Sequence, residues 1–251
     1  MINDLLCGLD PVTFAESAGL RPDPWQAQVL RSDSQQITLL CSRQAGKSTV
    51  TSLLALHRAI YYPDSLILLL SPSQRQSGEL FRKLKGFYDR LPEALPSKSE
   101  TTMRLELENG SRIVSLPGKE GTIRGYSGVD LLVVDEAARV EEGLYYAIRP
   151  MLAVSDGRLV ALTTPFGKRG WFHKEWSSAS TSWERIKVTA EQCPRISSAF
   201  LEQERATISE WWFRQEYQCE FVETAGQLFT SEQIEGALSS DIEPLFGGCD
   251  G

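Results

Sequence analysis

Short runs of apolar residues alternate along this chain with segments whose apolar residues recur at helical spacing. Each run is bounded by polar or turn-forming residues, as is typical of a buried strand. The runs predict strands at residues 36–41, 65–70, 131–135, 158–163 and 184–188. The periodicity between them predicts helices at residues 47–60, 73–90 and 142–152. This order predicts an α/β protein with a mainly parallel central sheet that is flanked by helices.

One pair of segments departs from the parallel pattern. Residues 103–107 and 112–116 alternate apolar and polar positions and flank Asn109-Gly110, the dipeptide most typical of a tight hairpin. We therefore expect an antiparallel hairpin that interrupts the parallel order.

After residue 190 the chain changes to acidic helices, which we predict at residues 198–207 and 209–219. The second helix carries a stripe of aromatic residues: Trp211, Trp212, Phe213 and Tyr217. Such stripes are usually part of a core. We expect this one to pack onto the main sheet in preference to forming a base-stacking surface.

Composition limits the class of protein further. The 251 residues, of which 41% are hydrophobic, are enough to bury a core without a disulfide or a metal. The longest apolar run, Leu66 to Leu70, is far shorter than the roughly 20 residues of a membrane-spanning helix, and the N-terminus lacks a secretion signal. We expect a protein that acts inside a cell. Two histidines and five scattered cysteines have no zinc-site spacing, so any metal ligands should be oxygen atoms.

Gly46, Lys47 and Ser48 indicate phosphate-binding chemistry, because they follow a predicted strand and open a predicted helix. They match the second half of the GxxxxGK[ST] loop, with Cys41 in place of its first glycine. In such a loop backbone N–H groups bind phosphate oxygens, the lysine neutralises the β- and γ-phosphates, and the hydroxyl joins the Mg²⁺ shell. Alone, the match is also compatible with an ordinary strand-to-helix turn.

Asp135 and Glu136 form an acidic pair at the end of the apolar strand at residues 131–135. This position brings Asp135 beside the phosphate loop, where it can hold Mg²⁺ directly or through water. Glu136 can then polarise a water for in-line attack on the γ-phosphate. A strand that ends in Asp-Glu is common by itself. Together with the loop at Lys47, it predicts a nucleotide hydrolase core.

Three further residues agree with such a core, although each has an ordinary alternative. Gln26, ahead of the first strand, can pair its amide with adenine, or be a surface glutamine. Thr164 follows the strand at residues 158–163 and can sense the γ-phosphate, or cap a helix. Arg124, before the acidic strand, can meet transition-state charge in its own or a neighbouring subunit's site, or be a solvated loop arginine.

In this order, the features resemble the large terminase subunit of tailed bacteriophages, an ATP-driven DNA-packaging motor. The resemblance covers nearly the whole chain, from about Pro24 to Gly251. The phosphate loop of that family also lacks the leading glycine, and it carries an arginine that Arg43 matches in this chain. Its acidic motif is similar to Asp135-Glu136, and its coupling motif looks like Thr163-Thr164-Pro165. Its adenine-recognising glutamine matches Gln26, and its trans-acting arginine aligns by position with Arg124.

The resemblance implies ATP and Mg²⁺ as cofactors and a set of site residues. The implied catalytic residues are Glu136, Lys47 and Arg124, and the implied metal ligands are Ser48 and Asp135. The implied nucleotide-binding residues are Gln26, Ser42, Arg43, Gln44, Ala45, Gly46, Lys47, Ser48, Thr49, Asp135 and Thr164.

The resemblance also implies a division into domains. A RecA-like P-loop ATPase core at residues 1–190 is followed by a lid or linker subdomain at residues 191–240 and by the start of an RNase H-like nuclease domain at residues 241–251. Asp250 resembles the metal-binding Asp of that nuclease's first strand. Because a two-metal nuclease needs several converging acidic ligands, we expect no DNA cleavage by this chain through that mechanism.

The implied function is ATP hydrolysis coupled to translocation of double-stranded DNA into a procapsid, in the cytoplasm of a host bacterium. The implied partners are double-stranded DNA, a portal protein, the small terminase subunit and further copies of the chain in a ring, with no membrane. Two other classes stay open. One is a helicase-like double-strand translocase, and the other is a nucleotide-binding assembly module without turnover.

The net charge of -7 is unevenly distributed. Residues 1–125 carry 15 basic and 13 acidic side chains, whereas residues 126–251 carry 11 and 20. We therefore expect DNA phosphates to meet a local patch in the first half, although each cation there is also compatible with a solvated face. The candidates are Arg75, Arg82, Lys83, Lys85, Arg104, Arg112 and Lys119.

Overall fold

An eight-stranded sheet lies at the centre of the structure, a computed structural model that describes residues 2–118, 120–123 and 125–223. The strands are β1 (Gln36–Cys41), β2 (Leu66–Ser71), β3 (Ser97–Glu100), β4 (Arg104–Leu107), β5 (Arg112–Pro117), β6 (Leu131–Asp135), β7 (Arg158–Thr163) and β8 (Glu184–Val188). The helices are α1 (Ile2–Leu9), α2 (Pro11–Ser17), α3 (Pro24–Arg31), α4 (Lys47–Tyr61), α5 (Gln74–Tyr88), α6 (Glu120–Ile123), α7 (Glu142–Ile148), α8 (Gly170–Ser177), α9 (Ser198–Thr207) and α10 (Glu210–Glu216). No helix among the described residues is both long and apolar enough to span a membrane.

Most of the sheet is parallel, as the alternation of strands and helices predicted. The strand order is β3-β4-β5-β2-β6-β7-β1-β8, and every neighbouring pair from β5 to β8 is parallel. The five predicted strands are confirmed, with β2 shifted by one residue. Because β6 lies between β2 and β7, and β7 lies next to β1, the carboxyl ends of β1, β6 and β7 meet at one edge of the sheet.

Both faces of β1, β2, β6 and β7 are covered, which explains their nearly continuous apolar sequences. In β6, Leu131 and Val133 pack with residues of α2 to α5, whereas Leu132 and Val134 pack on the other face with residues of α7 and α8. Side chains alternate along a strand, so Asp135 continues the face of Val133. That face is covered by α4 and α5, whose first turns follow β1 and β2.

The predicted antiparallel hairpin is confirmed, and it extends the sheet at one side. Strand β4 pairs antiparallel with β5, and Gly110 in the connecting turn has a φ of 85°. Strand β5 itself pairs in parallel with β2, so the parallel order continues into the hairpin before it is broken at β4. An outer strand, β3, was not predicted, because all four of its residues are exposed and show no apolar alternation.

Helices α9 and α10 form a small layer with its own core, made by Leu201, Phe213 and Ala190, with Tyr217 packed against them. Trp211 and Trp212 are 38% and 40% exposed. The prediction that the whole aromatic stripe packs onto the main sheet is therefore wrong. Successive residues of a helix point about 100° apart, so three consecutive aromatic side chains cannot all face one core.

Candidate active site

The loop between β1 and α4 carries the residues predicted to bind phosphate. Gln44 and Gly46 have positive φ angles of 60° and 94°, and α4 begins directly afterwards at Lys47. The backbone angle of Gly46 favours glycine, and a Cβ there would lie 2.8 Å from Nε2 of Gln26, so that side chain would have to move. The loop thus ends at the N-terminus of a 15-residue helix. Such a terminus favours an anion, because its first N–H groups lack partners within the helix.

The carboxyl edge of the sheet brings together a lysine, a glutamate and a threonine that the sequence predicted to act together. Nζ of Lys47 donates to Oγ1 of Thr164 at 3.0 Å and lies 3.6 Å from Oε1 of Glu136. Glu136 has a φ of 49°, an uncommon backbone conformation for a residue other than glycine. Strained positions of this kind cluster at functional sites. The arrangement offers a cation for a terminal phosphate and a carboxylate that can orient a water beside it.

Asp135 is a buried carboxylate, and its Oδ1 accepts a hydrogen bond from the backbone N–H of Glu136 at 3.0 Å. Burial, together with the negative charge of Glu136, raises the pKa of Asp135 to about 6, against the opposing attraction of Lys47. Asp135 and Ser48 line the same small pocket of about 200 Å³. Carboxylate and hydroxyl oxygens are ligands that Mg²⁺ accepts. The donor set therefore fits the metal that the sequence predicted.

The raised pKa of Asp135 predicts that its ionised form destabilises the fold. The folded pKa of about 6 exceeds the ordinary value of 3.8, so this cost is present above pH 6 and disappears as the pH falls towards 4. Without divalent cations, Asp135→Asn is expected to raise the free energy of unfolding by roughly 2–3 kcal/mol at pH 8 and to change it little at pH 4. Urea unfolding of both chains at the two pH values measures the difference. The same effect at both pH values would contradict the raised pKa.

A pocket of about 700 Å³ lies over the loop. The loop and acidic-pair residues that line it are Arg43, Gln44, Gly46, Lys47, Ser48, Thr49 and Glu136. Four residues that the sequence did not assign to it also contribute: Gln76, Lys83, Arg139 and Arg195. Of these, only Arg139 is close in sequence to a motif. The others come from α5 and from the segment after β8, and nothing local in the sequence marks them.

Gln26 contacts the loop from α3. Its Nε2 donates to the carbonyl oxygen of Gly46 at 3.4 Å, and its Oε1 accepts from the backbone N–H of Asp23 at 3.0 Å. Arg195 bridges the same two segments, because its guanidinium donates to the carbonyl oxygen of Ala45 at 2.7 Å and to Oδ1 of Asp23 at 3.0 Å. The structure therefore brings Gln26 to the loop with both ends of its amide engaged within the protein.

The remaining loop residues differ in what they offer to a ligand. Ser42 and Ala45 are fully buried and are not among the residues that line the pocket. The guanidinium of Arg43 is paired with the carboxylate of Glu216 in α10, which is buried. Thr49, in the first turn of α4, lines the pocket. The loop is thus tied to the helical layer through Arg43.

The cations predicted to contact DNA do not form one free surface. Three are paired with carboxylates at 2.7–3.3 Å: Arg82 with Glu79, Lys85 with Glu100, and Arg104 with Glu106. Lys83 lines the pocket over the phosphate loop. Arg75 and Arg112 are exposed and have no ion-pair partner within the part of the chain that the structure describes. Lys119, Arg124 and the predicted nuclease residue Asp250 lie outside that part.

Two features define a P-loop protein of the RecA-like α/β class. The first is a loop of the phosphate-binding type between a strand and a helix of a parallel sheet. The second is an acidic pair at the end of a neighbouring strand. Within that class, the chain belongs to the terminase large subunit family. The family model described as terminase large subunit, T4likevirus-type, N-terminal, matches residues 38–235.

Individual relatives agree with this assignment. The chain is 25% identical over 254 residues to the large terminase subunit of Thermus phage G20c, an alignment that covers 86% of this chain and 52% of the relative. It shares its fold with the large terminase ATPase domain of Thermus phage P74-26, with a TM-score of 0.74 and 23% identity over 83% of this chain and 97% of that domain. The large terminase of another thermophilic bacteriophage, solved in complex with ADP, has a TM-score of 0.67 and 17% identity, and the match covers 80% of this chain and 53% of that protein. The chain spans about half the length of the G20c relative.

Proposed function

We propose that this chain is the ATP-hydrolysing motor domain of a viral DNA-packaging terminase and that it couples hydrolysis to movement of double-stranded DNA into a procapsid. The observation that carries the proposal is the position of the Lys47 ammonium at the start of α4, 3.0 Å from Thr164 and 3.6 Å from Glu136. A relative by fold, the large terminase of a thermophilic bacteriophage, has been solved with ADP. That complex supports a nucleotide as the ligand of the pocket.

Each residue has a role that follows from its position. The N–H groups at the start of α4 and the ammonium of Lys47 bind the β- and γ-phosphates. Ser48 and Asp135 hold Mg²⁺, which when bound neutralises charge on the phosphate oxygens. Glu136 orients a water and accepts its proton as the water oxygen attacks the γ-phosphorus and the bond to the β-phosphate oxygen breaks.

Two more residues connect this chemistry to the rest of the molecule. Thr164 accepts a hydrogen bond from Lys47, which is also proposed to bind the γ-phosphate. Loss of that phosphate therefore changes the surroundings of Thr164, directly after the end of β7. Gln26 contacts the adenine once its amide is released from Gly46 and Asp23. In the assembled motor we propose a ring of copies of this chain, which works with a portal protein and a small terminase subunit.

Lys47→Ala is the direct test of ATP hydrolysis at this site. Phosphoryl transfer depends mainly on positioning and charge neutralisation, so the loss of this cation is expected to lower turnover by a factor on the order of 10² or more. A steady-state ATPase assay measures the effect. Lys174→Ala is the matched control, since Lys174 is a surface lysine paired with Glu142 of α7, and its turnover should equal the wild-type rate. Wild-type turnover in the Lys47 variant would exclude this hydrolytic site.

Binding to duplex DNA is expected to be weak, indifferent to sequence and strongly dependent on salt. A packaging motor must pass every sequence, so its contacts should go to phosphates, and such contacts release counterions. Arg75 and Arg112 are candidates that lie outside the pocket over the phosphate loop and form no ion pair among the described residues. Titration of labelled duplexes of unrelated sequence at several salt concentrations measures this. Strong preference for one sequence, or affinity that salt leaves unchanged, would count against a translocating motor.

A further inference from the structure

Helix α5 carries three cations within four residues, and they differ in their partners. Arg82 is paired with Glu79 at 2.7 Å, and Lys85 is paired with Asp89 and with Glu100. Lys83 is exposed and forms no ion pair within the part of the chain that the structure describes, although its charge acts to lower the pKa of Asp135. Of these three cations, Lys83 is also the one that lines the pocket over the phosphate loop. Among residues 82–85 of α5, the cation without an ion pair therefore lies at the pocket over the phosphate loop.

The position of Lys83 within that pocket identifies the end of the nucleotide that it meets. Lys83 also lines the smaller pocket that contains Ser48 and Asp135, the two residues proposed to hold Mg²⁺. Gln26 and Arg195 contact the loop at Gly46 and Ala45 and are not part of the smaller pocket. The lysine therefore lies on the metal and terminal-phosphate side of the site, away from the residue proposed to contact adenine.

The helix provides a rigid base for this side chain. Leu80, Leu84 and Phe87 of α5 are buried in the core beneath the helix, on either side of Lys83 in sequence. The acid that α5 contributes to the smaller pocket, Glu79, is already paired with Arg82. A lysine carries its charge on a flexible four-carbon stem and suits a phosphate as a point charge. Lys83 thus combines a fixed backbone, an ammonium and a long reach.

We infer that Lys83 is a terminal-phosphate-binding residue, which contacts the γ-phosphate of ATP from within the same chain. The inference rests on the proposed function and deepens it, because it gives the site a means to distinguish ATP from ADP. Lys47 serves both nucleotides through the β-phosphate, whereas a contact restricted to the γ-phosphate is lost on hydrolysis. After phosphate release, the ammonium of Lys83 no longer holds the nucleotide.

The test compares the affinity of the full chain for two nucleotides, the β,γ-imido analogue of ATP and ADP, each with Mg²⁺, by titration calorimetry. Lys83→Ala is expected to weaken binding of the analogue on the order of tenfold or more and to change ADP binding by less than about twofold. Lys83→Arg should keep most of the affinity for the analogue. Lys85→Ala is the matched control, since this lysine lies on the same helix and is paired with Glu100. It should bind both nucleotides like the wild type.

Other outcomes separate the inference from the proposed function. If the wild type and Lys85→Ala bind both nucleotides and Lys83→Ala matches them, the inference is wrong while the proposed site stands. An equal loss for the analogue and ADP would also overturn it, because the contact would not be specific for the γ-phosphate. If Lys83→Ala weakened the binding of duplex DNA and left the affinity for both nucleotides unchanged, the inference would be wrong and Lys83 would be a DNA-binding residue. Failure of the wild type to bind either nucleotide would overturn the proposed function together with the inference.

Discussion

Replacement of Glu136 by glutamine is expected to lower the rate of ATP hydrolysis by roughly 10²–10⁴-fold while leaving nucleotide binding in place. Glutamine keeps the size of the side chain, but its amide cannot take the proton of the attacking water. In the wild type the ammonium of Lys47 lies 3.6 Å from the carboxylate of Glu136. In the variant this competing carboxylate is absent, so the ammonium stays available to the phosphates. A steady-state assay measures the lower rate of hydrolysis, and titration calorimetry on the same preparation measures the retained affinity for ATP.

A matched control for this variant is Glu141→Gln, which makes the same substitution at an exposed carboxylate next to α7. It should hydrolyse ATP at the wild-type rate. If Glu136→Gln also did so, the assignment of the base would be wrong. Loss of nucleotide binding together with turnover would instead indicate that Glu136 holds the site together through its contact with Lys47.

Arg124→Ala is expected to reduce turnover of the assembled motor by roughly 10³–10⁵-fold, the range for an arginine that meets transition-state charge from a neighbouring subunit. The residue precedes Gly125, and Gly125 and Gly128 both have positive φ angles, 120° and 65°. Glycines at such angles allow turns that other residues rarely adopt. If the arginine acts in a neighbour's site, turnover by the wild type should rise more than linearly with protein concentration.

Mixing variants distinguishes donation in trans from donation within one chain. Chains with Arg124→Ala keep an intact Lys47, and chains with Lys47→Ala keep an intact Arg124, so a mixed assembly contains sites that have both. Rescue of activity in the mixture supports donation in trans. Each variant alone, at the same total concentration, is the control. No rescue under conditions where sedimentation shows assembly would contradict it.

The parallel part of the sheet and the residues at its carboxyl edge could be predicted from local sequence patterns. Strands β1, β6 and β7 begin and end at the residues that the apolar runs predicted, because a strand buried on both faces needs apolar residues at nearly every position. Gly46 and Lys47 follow β1 and Asp135 ends β6, so the parallel order was enough to bring the loop and the acidic pair together. These features depend on neighbours in sequence, and a local pattern therefore records them.

The distant side chains that complete the pocket could not be predicted from local patterns, because packing between remote segments brings them there. Arg195 contacts Ala45, 150 positions away in the chain. Lys83 and Lys85 are two residues apart on α5, yet Lys83 lines the pocket over the phosphate loop and Lys85 pairs with Glu100. The exposed tryptophans of α10 show the same limit. Which face of a helix is covered depends on the element that packs against it, and that partner is distant in sequence. Packing between remote segments leaves no periodic signal along the chain, which is why the parallel strands of the core were predictable and the pocket residues Gln76, Lys83 and Arg195 were not.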